Sequence, residues 1–189
     1  LEIYGDALDY SLEHYGDYHP DTAILYNNIG TVYYYQGDYA EALKYFEKAL
    51  AIREKVLDAN HPKTALSYNN IGLVFYSQGN YTKALKYYEK ALAIYERVLS
   101  DNHPYATALY SNIGMVFHSQ GDYTEALEYY EKSLAIDEKV LGKNHPDTAI
   151  LYNNIGTVYC EQGDYAEALE YFEKALTIYE KVLDANHPY

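Results

Sequence analysis

The feature that most constrains the fold is a segment that returns every 42 residues. The segment YNNIGTVYYYQGDYAEALKYFEKALAIREKVL begins at Tyr26 and comes back from Tyr68, Tyr110 and Tyr152, with Ser111 replacing the first asparagine of the third copy. A fixed period of about 20–50 residues is typical of arrays in which each unit packs mainly on its neighbours. We therefore expect function to depend on a surface built by repetition, and we do not expect a single pocket to carry it.

Each copy has the apolar pattern of two helices joined by a short turn. A His-Pro pair begins the first helix, over residues 20–36, because proline is tolerated at the first helical position. Gly37 can adopt the left-handed backbone that follows a helix end, and Asp38 can cap the next helix. The second helix covers residues 39–57, and its stripe is wide enough to contact two neighbouring helices. The apolar positions of that stripe are 39, 42, 43, 46, 49, 50, 56 and 57.

The period divides the chain into one half-repeat and four full repeats, which we expect to form one continuous solenoid domain. In register with the later units, residues 1–19 match a second helix without its first helix, so we predict a helix over 2–15 that covers the first full repeat. The predicted segments are 1–19 for the half-repeat, then 20–61, 62–103, 104–145 and 146–189 for repeats one to four.

A glycine lies inside the first helix of every repeat, at positions 30, 72, 114 and 156. Glycine inside a helix costs about 1 kcal/mol relative to alanine. The small Ala42 and its counterparts lie opposite these glycines, so we expect the two helices to approach closely there.

These residues resemble the tetratricopeptide repeat. The positions that carry the resemblance are Tyr26, Ile29, Gly30, Tyr33, Ala42, Phe46 and Ala49, and they recur four times in register. Two departures are a tyrosine in place of the usual tryptophan and a period of 42 residues instead of about 34. A period of 42 also suits HEAT or armadillo repeats, but their patterns do not match these positions. The longer repeat, with its KVL…NHPDTA join at 139–149, is similar to that of kinesin light chains. The resemblance implies an all-α, right-handed α-solenoid and a cytoplasmic protein-binding scaffold.

Charge and composition exclude several classes of function. The chain has 14 basic and 28 acidic residues, a net charge of −14, which argues against nucleic acid or an anionic membrane as the main partner. No apolar run approaches the length of a membrane span, and the first residues lack a signal-peptide pattern. The only cysteine, Cys160, excludes an internal disulfide and fits either a reducing compartment or indifference to redox conditions.

The residues with catalytic or metal-binding chemistry form no recognisable site. The histidines of the His-Pro pairs are expected on separate helices about 8–10 Å apart or more, too far for the mutual contact that zinc ligands require. No histidine stands at helical spacing from Cys160, and no phosphate-binding or hydrolase motif is present. We therefore predict that the protein is not an enzyme and needs no cofactor or metal. The five histidines are His19, His61, His103, His145 and His187.

A stripe on the first helices is the candidate binding surface. Asparagine is a poor residue for the middle of a helix, yet a pair of asparagines recurs there, reduced to one in the third repeat. In the tetratricopeptide family this stripe lines the concave groove, and the asparagine matching Asn28 often clamps the backbone of a ligand. The alternative is that the asparagines were carried along by duplication or bond to neighbouring helices. The predicted peptide-binding residues are Asn27, Asn28, Thr31, Tyr34, Tyr35, Asn69, Asn70, Leu73, Tyr76, Asn112, Met115, His118, Asn153, Asn154 and Thr157.

The chemistry of this stripe restricts the ligand. It carries no lysine or arginine, so we expect a neutral or basic peptide or helix as the partner, not an acidic one. Two other functions remain open. The array could associate weakly end to end, because uncovered apolar surface is expected at both ends. It could also serve as a regulatory arm of a larger signalling protein.

Overall fold

The structure, a computed structural model, describes residues 2–98 and 104–186, with side chains at 4–98 and 105–182. Within those residues the secondary structure consists of nine helices and no strands, as the periodicity predicts. The bounds of α2 and α3 differ by one residue at most from the predicted 20–36 and 39–57. The helices are α1 Glu2–Tyr15, α2 Pro20–Tyr35, α3 Tyr39–Val56, α4 Pro62–Ser77, α5 Tyr81–Val98, α6 Pro104–Gln120, α7 Tyr123–Val140, α8 Pro146–Gln162 and α9 Tyr165–Asn186.

The turn inside each repeat follows the predicted chemistry in its glycines, whereas the side-chain cap is present, in the described parts of the chain, in the first two repeats only. Gly37 has φ of +78°, a conformation that favours glycine, and the equivalent glycines at 79, 121 and 163 are also left-handed. The Asp38 carboxylate accepts a hydrogen bond from the backbone N–H of Glu41 at 3.2 Å and so caps α3. Asp122, at the same position before α7, makes no side-chain capping bond, so the predicted cap is wrong there.

Three of the His-Pro histidines cap the first helices through their rings. In each of them Nδ1 accepts a hydrogen bond from the backbone N–H two residues later, at 3.1–3.2 Å. Histidine therefore caps the helix N-terminus, a position usually occupied by Ser, Thr, Asp or Asn. The sequence pattern alone did not indicate this. The capping histidines are His19, His61 and His145. His103 and His187 lie outside the described residues.

The chain divides into two compact units, Leu1–Val98 and Leu99–Tyr189. In the first unit α1 packs on α2, and the following helices pack successively up to α5; in the second, α6 to α9 do the same. The second helices α3 and α7 each contact the first helix of their own repeat and that of the next, which confirms the predicted pair of neighbours. That all four repeats form one continuous domain stays a prediction.

The glycine inside each first helix faces an aromatic ring of the second helix. A Cβ atom placed on Gly30 would lie 2.8 Å from two ring carbons of Phe46 and 3.2 Å from the Ala42 carbonyl oxygen. On Gly72 it would lie 2.6 Å from Cε1 of Tyr88. The predicted close approach is therefore present, but the nearest group is the ring four residues beyond the predicted alanine.

The buried stripe of α3 contains a charged residue that the apolar pattern missed. Arg53 is 4% exposed, whereas Val56, which the pattern placed in the stripe, is 41% exposed. Arg53 continues the helical spacing of Ala42, Phe46 and Ala49, while Val56 is the last residue of the helix. The prediction was wrong at Val56 because an apolar side chain at a helix end is counted like one at its centre.

Charged residues of the second helices contact tyrosines as well as solvent. The Tyr68 hydroxyl donates a hydrogen bond to Glu54, and burial together with that carboxylate raises the pKa of Tyr68 to about 12. Lys48 Nζ lies 5.1 Å from the centre of the Tyr26 ring. The charged side chains of the second helices therefore do more than form a solvated face.

Candidate binding face

Within each of the two units, the predicted peptide-binding residues lie on one side of the first helices. We call this surface the A-face, defined on α2 by Asn27, Asn28, Thr31, Tyr34 and Tyr35 and on α4, α6 and α8 by the equivalent residues. Most of these side chains are half-buried, which leaves them partly accessible to a ligand. Tyr35 and Asn153 are exposed, Tyr35 by 82%. The other half-buried members are Asn69, Asn70, Leu73, Tyr76, Asn112, Met115, His118, Asn154 and Thr157.

Several A-face side chains hydrogen-bond to the next first helix of the same unit. Asn70 Nδ2 donates to Asn27 Oδ1 at 2.9 Å, across a separation of 43 residues. The Tyr34 hydroxyl and the Ser77 hydroxyl lie 2.9 Å apart at the same separation. These bonds join α2 to α4, so part of the asparagine pattern has the structural role that we considered as the alternative.

The asparagine that matches Asn28 in each repeat consequently does not have the same surroundings in all four; these residues are Asn28, Asn70, Asn112 and Asn154. Asn70 uses one amide proton in the bond to Asn27, and Asn112 also has an interaction partner. Asn28 and Asn154 are half-buried, and within the described residues their side chains make no hydrogen bond. A carboxamide both donates and accepts, so these two can engage a peptide unit without first breaking an internal contact.

In the second unit the A-face carries a cluster of three polar side chains. His118 Nε2 lies 3.0 Å from Glu161 Oε2, which joins α6 to α8. The Glu161 carboxylate also raises the pKa of the nearby Tyr123 hydroxyl. Glu161 is the only residue with a formal charge at the A-face positions. The cluster therefore favours neutral or cationic groups nearby.

No catalytic or metal-binding arrangement occurs within the described residues. Cys160 is exposed and carries a free thiol. No three His, Cys, Asp or Glu side chains of the described ranges are grouped so that they could hold a metal ion. None of the described helices is long and apolar enough to span a bilayer.

Polar residues buried where α6, α7 and α8 meet were not predicted from the sequence. Thr107 and Asp137 are each 6% exposed, and Ser133 is fully buried. Thr107 and Ser133 stand where the first repeat has Ala23 and Ala49. A polar residue at a position that is alanine in the other repeats was the available signal.

The comparisons with known proteins agree with this architecture. A family model described as tetratricopeptide repeat matches residues 1–55, 21–97, 63–139 and 104–181, whereas no curated protein sequence matches the chain. The crystal structure of BtubC (BKLC) from P. vanneervenii is similar, with a TM-score of 0.84 and 24% identity over 100% of this chain and 74% of that one. These matches confirm the predicted fold class, an all-α solenoid of helix-turn-helix repeats.

Two further solved structures have the same fold. A putative kinesin light chain with nearly identical TPR-like repeats from Podosopora anserina has a TM-score of 0.78 and 23% identity, over 97% of this chain and 86% of that one. Aspartyl phosphate phosphatase F from Bacillus subtilis has a TM-score of 0.83 and 21% identity, over 97% of this chain and 46% of that one. The similarity to kinesin-light-chain-type repeats expected from the sequence is thus found among solved structures.

Proposed function

Because the chain belongs to the tetratricopeptide repeat family, whose members are generally protein-interaction scaffolds, we propose that it is a non-enzymatic scaffold that binds a partner peptide or helix along the A-face. The observation that carries the proposal concerns two half-buried carboxamides, Asn28 in the first unit and Asn154 in the second. Neither has a hydrogen-bond partner in the part of the chain that the structure describes. Each can donate to a carbonyl of the ligand and accept from an N–H of the ligand. The resemblance to kinesin light chains makes a cytoplasmic location part of the proposal.

The A-face also sets the chemistry of the ligand. It offers Tyr34, Tyr76, Met115 and His118 as aromatic or soft surfaces for side chains. The single charged residue, Glu161, is acidic, and the net charge of the chain is −14. The proposed ligand is therefore neutral or basic, because an acidic peptide would find no cation to pair with.

Asparagine substitutions test this binding mode. Peptides selected from a random library on the immobilised protein should be poor in Asp and Glu. In titrations, Asn28→Ala and Asn154→Ala should each weaken binding by several-fold, and the double variant Asn28→Ala, Asn154→Ala should weaken it by about tenfold or more. Each bond to the ligand backbone contributes about 1 kcal/mol, and 1.4 kcal/mol corresponds to a factor of ten.

The matched control is Asn60→Ala, an asparagine in the loop before α4 and away from the A-face. It should leave the affinity unchanged. Thermal melts of all variants verify that each of them remains folded. Equal affinities for the native protein and for the folded double variant would place the binding site elsewhere.

A second candidate function, end-to-end self-association, is favoured by the exposed side of α9. Leu176 is 55% exposed, whereas Leu92, at the equivalent position of α5, is 9% exposed. Tyr165 and Leu169 on the same helix are 65% and 60% exposed. An unlike-end contact of this kind does not close on itself and can propagate.

Sedimentation at increasing protein and salt concentration tests the association. We expect weak self-association that strengthens with salt, because salt screens the repulsion between chains of charge −14. Leu176→Lys should abolish it, and Leu66→Lys, at a residue that is 39% exposed on α4, should not. A strict monomer at high protein and high salt would contradict the idea.

A further inference from the structure

One position of the second helix carries an arginine, an aspartate and two tyrosines in the four repeats. Arg53, Tyr95, Asp137 and Tyr179 are equivalent through the period of 42 residues. In the first unit the Arg53 guanidinium donates from Nη1 to the Lys63 carbonyl oxygen at 3.0 Å and to the Ser67 hydroxyl at 2.7 Å. It thereby fills the space between its own helix and the start of the next first helix.

In the second unit the equivalent space is an open cavity. Asp137 replaces the arginine, and Asp147 and Leu151 stand at the positions of Lys63 and Ser67. The side chain at 137 is shorter than arginine, and a cavity of about 300 Å³ is present beside it. We call this cavity the junction pocket; its lining includes Thr107, Ser111, Asp137, Leu141, Asp147 and Ile150.

The lining of the junction pocket is acidic and poor in internal partners. Asp137 is 6% exposed, and within the described ranges neither lysine nor arginine pairs with it. Burial raises the pKa of Asp137, and the neighbouring Asp147 carboxylate raises it further. The Thr107 hydroxyl and the His145 ring each lower that pKa, by less than burial raises it. The Thr107 hydroxyl is buried and forms no hydrogen bond within the described residues. A buried carboxylate and a buried hydroxyl without adequate partners carry a free-energy cost that a bound donor can relieve.

We propose that the junction pocket binds a guanidinium group, carried by an arginine side chain of a partner segment. The planar guanidinium offers five donors, enough for a two-point contact with the Asp137 carboxylate and a further bond to the Thr107 hydroxyl. Leu141 and Ile150 supply apolar walls for the alkyl stem. The chain itself shows the complement, because Arg53 places such a group at the equivalent position of the first unit.

The pocket adjoins the A-face, since its lining includes Ser111, the third-repeat equivalent of Asn27. The exposed residues of that lining are Ala108, Leu141, Asp147 and Ile150. The inference therefore deepens the proposed function and rests on it for the source of the arginine. It specifies that a basic ligand is recognised through at least one arginine, next to the asparagines that contact its backbone.

The direct test uses a small probe and needs no identified partner. N-acetyl-arginine methylamide is titrated into isotopically labelled protein while amide NMR shifts are followed. We expect saturable shifts at residues lining the junction pocket. The matched citrulline compound has the same shape but no charge. It should bind at least about tenfold more weakly, because hydrogen bonds to charged groups are the stronger ones.

Three variants locate the binding. Asp137→Asn should weaken binding of the arginine probe by about tenfold. Asp137→Arg, which introduces the residue found at position 53, should abolish binding. Asp164→Asn, an acidic position in the turn before α9, is the control and should bind like the native protein. Melts of the Asp137 variants verify folding, and loss of a buried carboxylate should not lower their stability. Absence of saturable shifts, equal binding of citrulline, or unchanged binding to Asp137→Arg would overturn the proposal.

Library peptides separate this proposal from the function on which it rests. If both Asn154→Ala and Asp137→Asn lower the affinity of arginine-containing peptides, a partner arginine is supported as the source. If the probe binds but Asp137→Asn leaves the affinity for the peptides unchanged, the ligand is a free guanidinium compound. That result overturns a partner segment as the source of the arginine. If the probe fails but Asn28→Ala still weakens peptide binding, the junction pocket proposal falls and the proposed function stands.

Discussion

Replacing Gly72 with leucine is expected to lower the free energy of unfolding by about 1–3 kcal/mol, the usual cost of overpacking a filled core. A Cβ atom on Gly72 would lie 2.6 and 2.7 Å from two ring carbons of Tyr88, and Tyr88 is 1% exposed. Intrinsic helix propensity favours leucine over glycine, so a loss of stability can come only from packing. Each kcal/mol should lower the melting temperature by about 2–4 °C in a chain of this size.

Gly5→Leu is the matched control for this experiment. Gly5 also lies inside a helix, α1, but no atom would come within 4 Å of an added Cβ. The same substitution should therefore leave stability unchanged or raise it by up to about 1 kcal/mol. Gly30→Leu, against the Phe46 ring, should behave like Gly72→Leu. A neutral melt for Gly72→Leu, or the same change in both glycine classes, would refute the packing argument.

Replacing Arg53 with alanine is expected to lower the free energy of unfolding by about 2–4 kcal/mol. The guanidinium remains charged although burial lowers its pKa, and hydrogen bonds from charged groups contribute about 1.5–3 kcal/mol. Its loss leaves the fully buried Ser67 hydroxyl without that donor and opens a cavity. Chemical denaturation followed by circular dichroism measures the change.

A second substitution separates the lost hydrogen bonds from the lost volume. Arg53→Met keeps most of the volume but no donor, so it should still destabilise the chain. Adding Ser67→Leu, the residue found at 109 and 151, removes the unpaired hydroxyl and should recover stability, with a coupling of about 1 kcal/mol or more. The argument fails if Arg53→Ala changes the free energy of unfolding by less than about 0.5 kcal/mol, as surface substitutions do.

The helices could be predicted from the sequence because their signals are local. Pro20 fixes the start of α2, Gly37 supplies the left-handed residue after it, and the apolar spacing defines which side is buried. Four copies in register also reduce the chance that any one signal misleads. The identity of the repeat follows from the same positions, and both the family match and the solved structures confirm it.

The candidate site was less predictable because its contacts join residues far apart in the chain. Whether Asn70 faces a ligand or Asn27 depends on the distance between α2 and α4, which no local pattern encodes. Arginine is a residue type usually found at the surface. Only the serine at 67, where the later repeats have leucine, indicates that Arg53 is buried. Asp137 likewise becomes notable only when its burial is known.

The pairing of Arg53 with Ser67 also bears on how such an array can evolve. Near-identical tandem segments are prone to unequal exchange, which deletes or duplicates whole repeats without shifting the reading frame. Loss of the second repeat would place Arg53 before Leu109, so the buried guanidinium would lose its hydroxyl acceptor. The residues at these joints therefore distinguish repeats that otherwise look interchangeable, and they select against products of recombination in which the order of units has changed.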